Sequence, residues 1–241
     1  MDISVTFPEN SKTKHLSPEQ IEAFGRRVEE IRQNIMSDIG EKDAKYIYKI
    51  RNFVRYSEIS SRALLMFGGW LPPVWLVGTG LLGISKIVEN MELGHNVMHG
   101  QFDWLNDPSL NGANYDWDTM ATGDDWKYTH NYVHHTYTNI VGKDHDIGYG
   151  LLRVSESQKW EPRFLLNIPL AIQLMVFFEW YVGVQNLHLE DALIYKTKTW
   201  KQVWADATKF RKKARRQILK DYVFFPVIAG PNALPVLAGN V

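Results

Sequence analysis

The sequence predicts an all-α protein, part of it built for a membrane. Three observations lead there. An uncharged run of 21 residues extends from Ala63 to Gly83. Elsewhere apolar residues recur every three or four positions, the mark of a helix with one buried stripe. Two histidine pairs also sit at helical i, i+4 spacing. The 27 basic and 27 acidic residues balance, so no global charge draws the chain to nucleic acid. Cysteine is absent, which excludes disulfides, thiolate zinc sites and Cys-ligated iron–sulfur clusters and leaves histidine and carboxylates as the strong metal ligands.

Residues 1–50 hold no uninterrupted apolar run behind a basic start, so no secretory signal peptide is expected. His15 precedes the first helix and is expected in solvent. Ser17, Pro18, Glu19 and Gln20 read as an N-cap, a first-turn proline and a capping-box residue. The helix that starts there carries Ile21, Phe24, Val28, Ile31 and Ile35 on one stripe and stops near Gly40. A second amphipathic helix runs from Lys45 to about Arg62, with Ile47, Ile50 and Val54 on one side. Its other side is basic, suited to solvent or to an anionic membrane surface. Residues 1–62 form an N-terminal amphipathic region on this reading.

The apolar run 63–83 has the length of a membrane helix, since about 20 residues cover the hydrocarbon core. Pro72 and Pro73 kink or divide it. The helix continues past Lys86, Glu89 and Glu92, so His95 lies about 14 Å beyond Lys86 and outside the lipid. A second apolar stretch, 164–184, is interrupted by Asn167, Pro169, Gln173 and Glu179, and a third, 222–241, contains three prolines. Between them Lys196 to Lys220 holds ten Lys or Arg against Asp206 alone, which places this segment on the cytoplasmic side. One complete crossing by 164–184 would separate that segment from the histidines. The stretch is therefore expected to be interfacial, re-entrant or part of a bent hairpin. A mean hydropathy of −0.28 agrees with a large portion outside the membrane.

"ELGHNVMHGQ" holds His95 and His99, and "YTHNYVHHTYTN" holds His130, His134 and His135. Imidazoles four apart on one helix face can converge on one ion. Five of the eight histidines fall in these two groups, which suits a dinuclear site of zinc, copper, nickel or iron. Glu89, Glu92, Asp124, Asp125, Asp144, Asp146 and Asn131 are candidates for fixing imidazole orientation from behind. His145 lies in a turn-rich segment and reads as surface, and nothing around His188 forms a second histidine word.

"HNVMH" at 95–99 and "HNYVHH" at 130–135 resemble the first two histidine boxes of the membrane fatty acid desaturases. "ENMELGHNVMHGQFDW", "HHTYTNIVGKDHDIGYG" and "FEW" are similar to the bacterial acyl-CoA or linoleoyl-CoA branch, over roughly residues 45–230. The resemblance implies membrane helices with a cytosolic helical cap carrying a histidine-rich diiron site, in a domain covering 63–241. It implies His95, His99, His130, His134 and His135 as iron ligands, with Glu92, Asn131 and Asp144 behind them. Trp104, Trp126 and Tyr128, and with them Trp117, would line an acyl tunnel or serve as core aromatics. Two irons, O2 as co-substrate and an acyl-CoA or acyl-lipid substrate follow. No cytochrome-b5-like "HPGG" occurs, so electrons would come from a separate ferredoxin, rubredoxin or reductase-type donor. The protein would be a multi-pass member of the bacterial cytoplasmic membrane with its boxes on the cytoplasmic side, and the basic segment would meet anionic lipid, CoA phosphates or an acidic donor. The family's third box, His- or Gln-x-x-His-His, does not occur before Val241, so the domain is expected to be C-terminally incomplete. A fatty acyl or alkane hydroxylase of the same diiron class and a non-catalytic metal-binding membrane fragment are the alternative readings.

Overall fold

Ser17 Oγ accepts a hydrogen bond from the Gln20 N–H at 3.3 Å while the Ser17 N–H donates to Gln20 Oε1 at 2.8 Å. This reciprocal cap starts α1, Pro18–Asp38, in a computed structural model that describes residues 16–144, 146–185, 187, 189–193, 196 and 198–240. His15, His145 and His188 lie outside the described residues. Among those described, the regular structure is entirely helical. The chain divides into two compact units, residues 1–48 and 49–241. In the first, α1 buries no residue, and its apolar stripe lies open, with Phe24 72% exposed.

α2, Glu41–Gly68, is longer at both ends than the expected Lys45–Arg62. Asp43 accepts from the Gly40 N–H at 3.0 Å, and acidic residues in the first turn complement the helix dipole. At the other end the helix simply continues into the apolar run. It then stops, and of the kink and the division that Pro72 and Pro73 allow, the structure shows the division: the run 63–83 is shared between two helices. The Leu71 N–H donates to Gly68 O at 2.9 Å, closing a turn, and α3, Pro72–Ile87, begins with both prolines in its first turn. A proline lacks only a donor that the first helical turn would leave unused, so the pair starts a helix where it could not continue one. α3 runs back along α2, and Ser85 Oγ donates to Val54 O at 2.9 Å. The run is the tip of a helical hairpin.

α3 passes without a break into a π-helical turn, π1, Val88–Gly94, and then α4, His95–Met98. After irregular turns come α5, Gly123–Trp126, a second π-helical segment, π2, Lys127–His134, and α6, His135–Tyr137. α7, Asn167–Val176, and α8, Phe178–Gln185, follow. The helical stretch from Pro162 through Val176 meets α8 at a 97° bend, so 164–184 is not one straight span. α9, Leu189–Leu193, precedes α10, Trp200–Ile218, which runs on through π3, Leu219–Phe224, into α11, Phe225–Ala229. α12, Ala233–Gly239, ends the described chain.

Trp200–Gly239 is long and apolar enough to cross a membrane by length and composition. It does not do so as one rod. Gly230 takes φ 54°, and Asn240 Nδ2 donates to Asp221 O at 2.7 Å. Nineteen residues of straight helix would hold those two about 28 Å apart. The chain therefore reverses at Gly230, and α12 returns along α11.

The two hairpins pack tip to tip. Trp70 Nε1 donates to Pro231 O at 2.7 Å and Trp75 Nε1 to Pro235 O at 3.0 Å, which supplies donors to carbonyls near helix-breaking prolines. A Cβ on Gly69 would lie 2.5 Å from Pro235 Cβ, so only glycine lets the tips approach. Leu65, Leu82, Ala229 and Val236 form the core between the four arms. Charges gather at the opposite end. Arg62 bonds Asp221 and Glu58, each at 2.9 Å, and stacks over the Phe225 ring. Lys86 and Lys220 both grip Asp118, and Gln217 Nε2 donates to Asp221 Oδ2. The result is an apolar four-armed bundle with one polar collar, from which residues 49–62 of α2, the histidine-bearing segments and α10 all emerge.

Candidate metal centre

The histidines sit on widened helical turns. In π1 and π2 the backbone bonds run from residue i to i−5: His95 N–H to Asn90 O and His135 N–H to His130 O. Such turns are rare and concentrate at functional sites. Gly94 makes the first one possible beside its neighbour, since a Cβ there would lie 2.9 Å from Glu89 O and 3.2 Å from the Tyr115 ring. Spacing in the sequence suggests plain α-helix at both places; nothing in the residue pattern announces the inserted residue.

The five histidines come together. His95 Nε2 and His99 Nε2 are 3.1 Å apart. The His130 ring centroid lies 5.0 Å from those of His95, His134 and His135, and the His135 centroid is 4.9 Å from His99. One ligand atom each from His95, His99 and His130 falls within 4.8 Å of the others. Two nitrogens on one ion at about 2.1 Å stand about 3 Å from each other, which is the His95–His99 separation. The donor set therefore fits a metal. Burial, and then the neighbouring His95, His130 and His135, push His99 down to about 4. Burial, followed by His130 and His135, also lowers His95. Both imidazoles are thus neutral near pH 7, the form that offers a lone pair.

Two aspartates approach the cluster from behind. Asp144, its side chain 1% exposed, places both oxygens 3.0 Å from His134 Nδ1 and accepts from the N–H groups of Asn139 and Asp146. Burial pulls the Asp144 carboxyl upward, but the bonds from His134 and those two amides outweigh it and hold it below the ordinary range. Asp146 Oδ2 lies 3.2 Å from His130 Nδ1 and 3.5 Å from His134 Nδ1. An ionised carboxylate accepts only, so each contacted Nδ1 carries the proton and Nε2 keeps the lone pair. His130, His134 and Asp146 also form a group close enough to hold an ion, but its contacts include these same Nδ1–carboxylate bonds.

The remaining sequence candidates are scattered. Asn131 Nδ2 donates to Met98 O at 2.9 Å, tying the second histidine segment to the backbone of the first. Glu92 is exposed, its charge favours the protonated form of His95, and its carbonyl accepts from Asn96. Asp124 is exposed, while Asp125 bonds Thr122, the N-cap of α5. Trp126 stacks on His130 with centroids 4.4 Å apart and meets His95 and His99 edge-on. Trp117 packs behind it in a buried cluster with Met98 and Ala121. Trp104 and Tyr128 are exposed.

The fatty acid desaturase family model matches residues 68–240. The chain belongs to the fatty acid desaturase family. Among curated relatives, this desaturase-family chain is 42% identical over 234 residues to the NADPH-dependent stearoyl-CoA 9-desaturase of Mycobacterium tuberculosis, covering 94% of this chain and 54% of that protein. It is 33% identical over 191 residues to the sn-1 linoleoyl-lipid 6-desaturase of Arthrospira platensis, covering 75% of this chain and 50% of the relative. The corresponding enzyme of Synechocystis matches 51% of the chain at 33% identity and 35% of its own length. The chain spans about half the length of the first of these relatives. No solved structure matches.

Proposed function

We propose that this desaturase-family chain carries the histidine cluster of an O2-dependent fatty acyl desaturase. The observation that carries this reading is the convergence of five imidazoles, two of them held by buried or half-buried carboxylates through Nδ1. Overall, a CH2–CH2 pair, O2, two electrons and two protons would become CH=CH and two waters. His95, His99, His130, His134 and His135 would hold two irons, which when bound supply the capacity to activate O2 and remove hydrogen from an unactivated methylene. Asp144 and Asp146 fix the tautomer and ring plane of His134 and His130. Trp126 covers one side of the cluster with an apolar face and keeps water from it. Asn131 holds the two histidine segments in register.

The two apolar hairpins would embed the bundle in lipid, with the collar at the headgroup level and the histidines on the cytoplasmic side. An acyl-CoA substrate and an NADPH-derived electron supply follow from the mycobacterial relative, which covers more of this chain than the lipid-acting ones. The natural gene product, expressed with iron, is expected to bind about two irons per chain and to form an alkene in the host acyl profile. His134→Ala should lose both. Zinc alone in the wild type, or an alcohol in place of the alkene, would sink this reading.

A further inference from the structure

α10 carries more charge than its packing requires. Its inner side is conventional: Val203, Ala214 and Gln217 are buried, and the Phe210 ring closes on Gly183, where a Cβ would lie 2.5 Å from it. Lys213, also on this side, donates to Trp117 O at 2.7 Å and pairs with Asp116. The outer side exposes Lys201, Lys209, Arg211, Lys212, Arg215 and Arg216. Among the described residues, none of these six is paired with a carboxylate, and the helix's one acid, Asp206, is bound to Lys198. Trp200 and Trp204 stand 54% and 63% exposed on the same helix, with the Arg211 guanidinium 6.0 Å from the Trp204 centroid. Tryptophan and arginine together are the residues that anchor protein interfaces.

Position decides between lipid and protein. α10 runs without a break through π3 into α11, so it extends the bundle arm outward past the collar. Measured from Leu219, a rise of about 1.5 Å per residue carries Arg211 about 12 Å, Lys209 about 15 Å and Lys201 about 27 Å out. The pull of an anionic bilayer fades within a Debye length of about 8 Å. Most of the face lies beyond that reach, where a soluble protein can meet it.

The face also leads inward. Lys213 holds the Trp117 carbonyl, Trp117 and Trp126 have centroids 5.2 Å apart, and Trp126 stacks on His130 at 4.4 Å. We propose that the outer face of α10 docks an acidic one-electron carrier protein, whose electrons reach the histidine cluster through Trp117 and Trp126. The proposal rests on the desaturase reading. Each reduced carrier would be oxidised by one electron and leave, so two dockings supply the two electrons that join O2 and two protons for each double bond.

The test uses the full gene product in phosphatidylcholine nanodiscs, with a plant-type [2Fe–2S] ferredoxin kept reduced by NADPH and its reductase. Reversing Lys209→Glu, Arg211→Glu, Lys212→Glu and Arg216→Glu together should weaken ferredoxin binding by at least about ten-fold and flatten its salt dependence, with iron content unchanged. Trp117→Leu should leave the Kd alone and slow ferredoxin oxidation. The proposal is overturned if the wild type does not bind ferredoxin, if the reversed variant binds equally well, if Trp117→Leu oxidises ferredoxin at the wild-type rate, or if reversal abolishes binding to phosphatidylglycerol vesicles or CoA and leaves ferredoxin untouched. A wild type that forms alkene while the reversed variant is fed equally by ferredoxin sinks the docking face alone. A wild type without iron or alkene sinks the desaturase reading, whatever the Kd.

Discussion

Asp144 shows how one side chain can set a ring several residues away. It is buried to 1%, accepts two backbone N–H groups and meets His134 Nδ1 with both oxygens. A carboxylate so satisfied stays ionised and fixes the ring it faces. Asp144→Asn keeps the size but loses the charge, and its amide can turn a donor toward Nδ1. The expected outcome is an iron affinity lower by about 10- to 100-fold in a chelator competition. An unchanged affinity would mean that something else orients His134. The five histidines and Asp144 are legible in the sequence because box spacing and nearby acids are local signals. The Nδ1 assignment and the stack of Trp126 on His130 are not, because both depend on where the fold places Asn139, Asp144, Asp146 and residues 117–126 against the helices.

The π turns act at the next scale up. Each inserts one residue ahead of or within a histidine group and so resets the direction its imidazoles face, at a cost in hydrogen-bond geometry that neighbouring packing must offset. The i, i+4 histidine spacing agrees with the helical segments at 88–98 and 127–137, but a one-residue insertion ahead of or within a group is not visible in that spacing. Glu89, in the first turn of π1, bears a further consequence. Burial, then Asp118, push its carboxyl up to about 7, with Glu58 adding to this and Lys86 and Lys220 opposing it. The unfolded chain releases that proton near the ordinary 4.5. Between these values the folded state binds more protons than the unfolded one, so stability is lost as pH rises through the window. Glu89→Gln should therefore unfold at a higher temperature than the wild type at pH 8, by about 1–3 kcal/mol, with the difference vanishing at pH 4.5 and below. Parallel melting curves at both pH values would show that Glu89 is ionised throughout.

For the whole molecule, the decisive feature is that both apolar regions turn back. Pro72-Pro73 and Gly230-Pro231 read equally well as kinks or as turns from sequence, since a proline pair ends one helix and begins another in either case. Contacts between residues about 160 apart, Trp70 with Pro231 and Arg62 with Asp221, fix the answer, and no local pattern contains them. The consequence is topological. A single crossing at 63–83 would put Lys49 and Lys143 on opposite faces of a membrane, whereas two hairpins joined at their tips leave Lys49, Lys143 and Lys209 at the collar end. α3 alone is about 24 Å long against a hydrocarbon core of about 30 Å, so on the proposed placement the tips would lie deep in the lipid. The chain has no cysteine of its own, and all three lysines are exposed, which makes the test direct. Lys49→Cys, Lys143→Cys and Lys209→Cys, made singly, should react with a membrane-impermeant maleimide from the same side of sealed vesicles, and in inverted vesicles all three should switch together. Labelling of Lys49→Cys from the face opposite Lys143→Cys would restore the single crossing and separate the two hairpins.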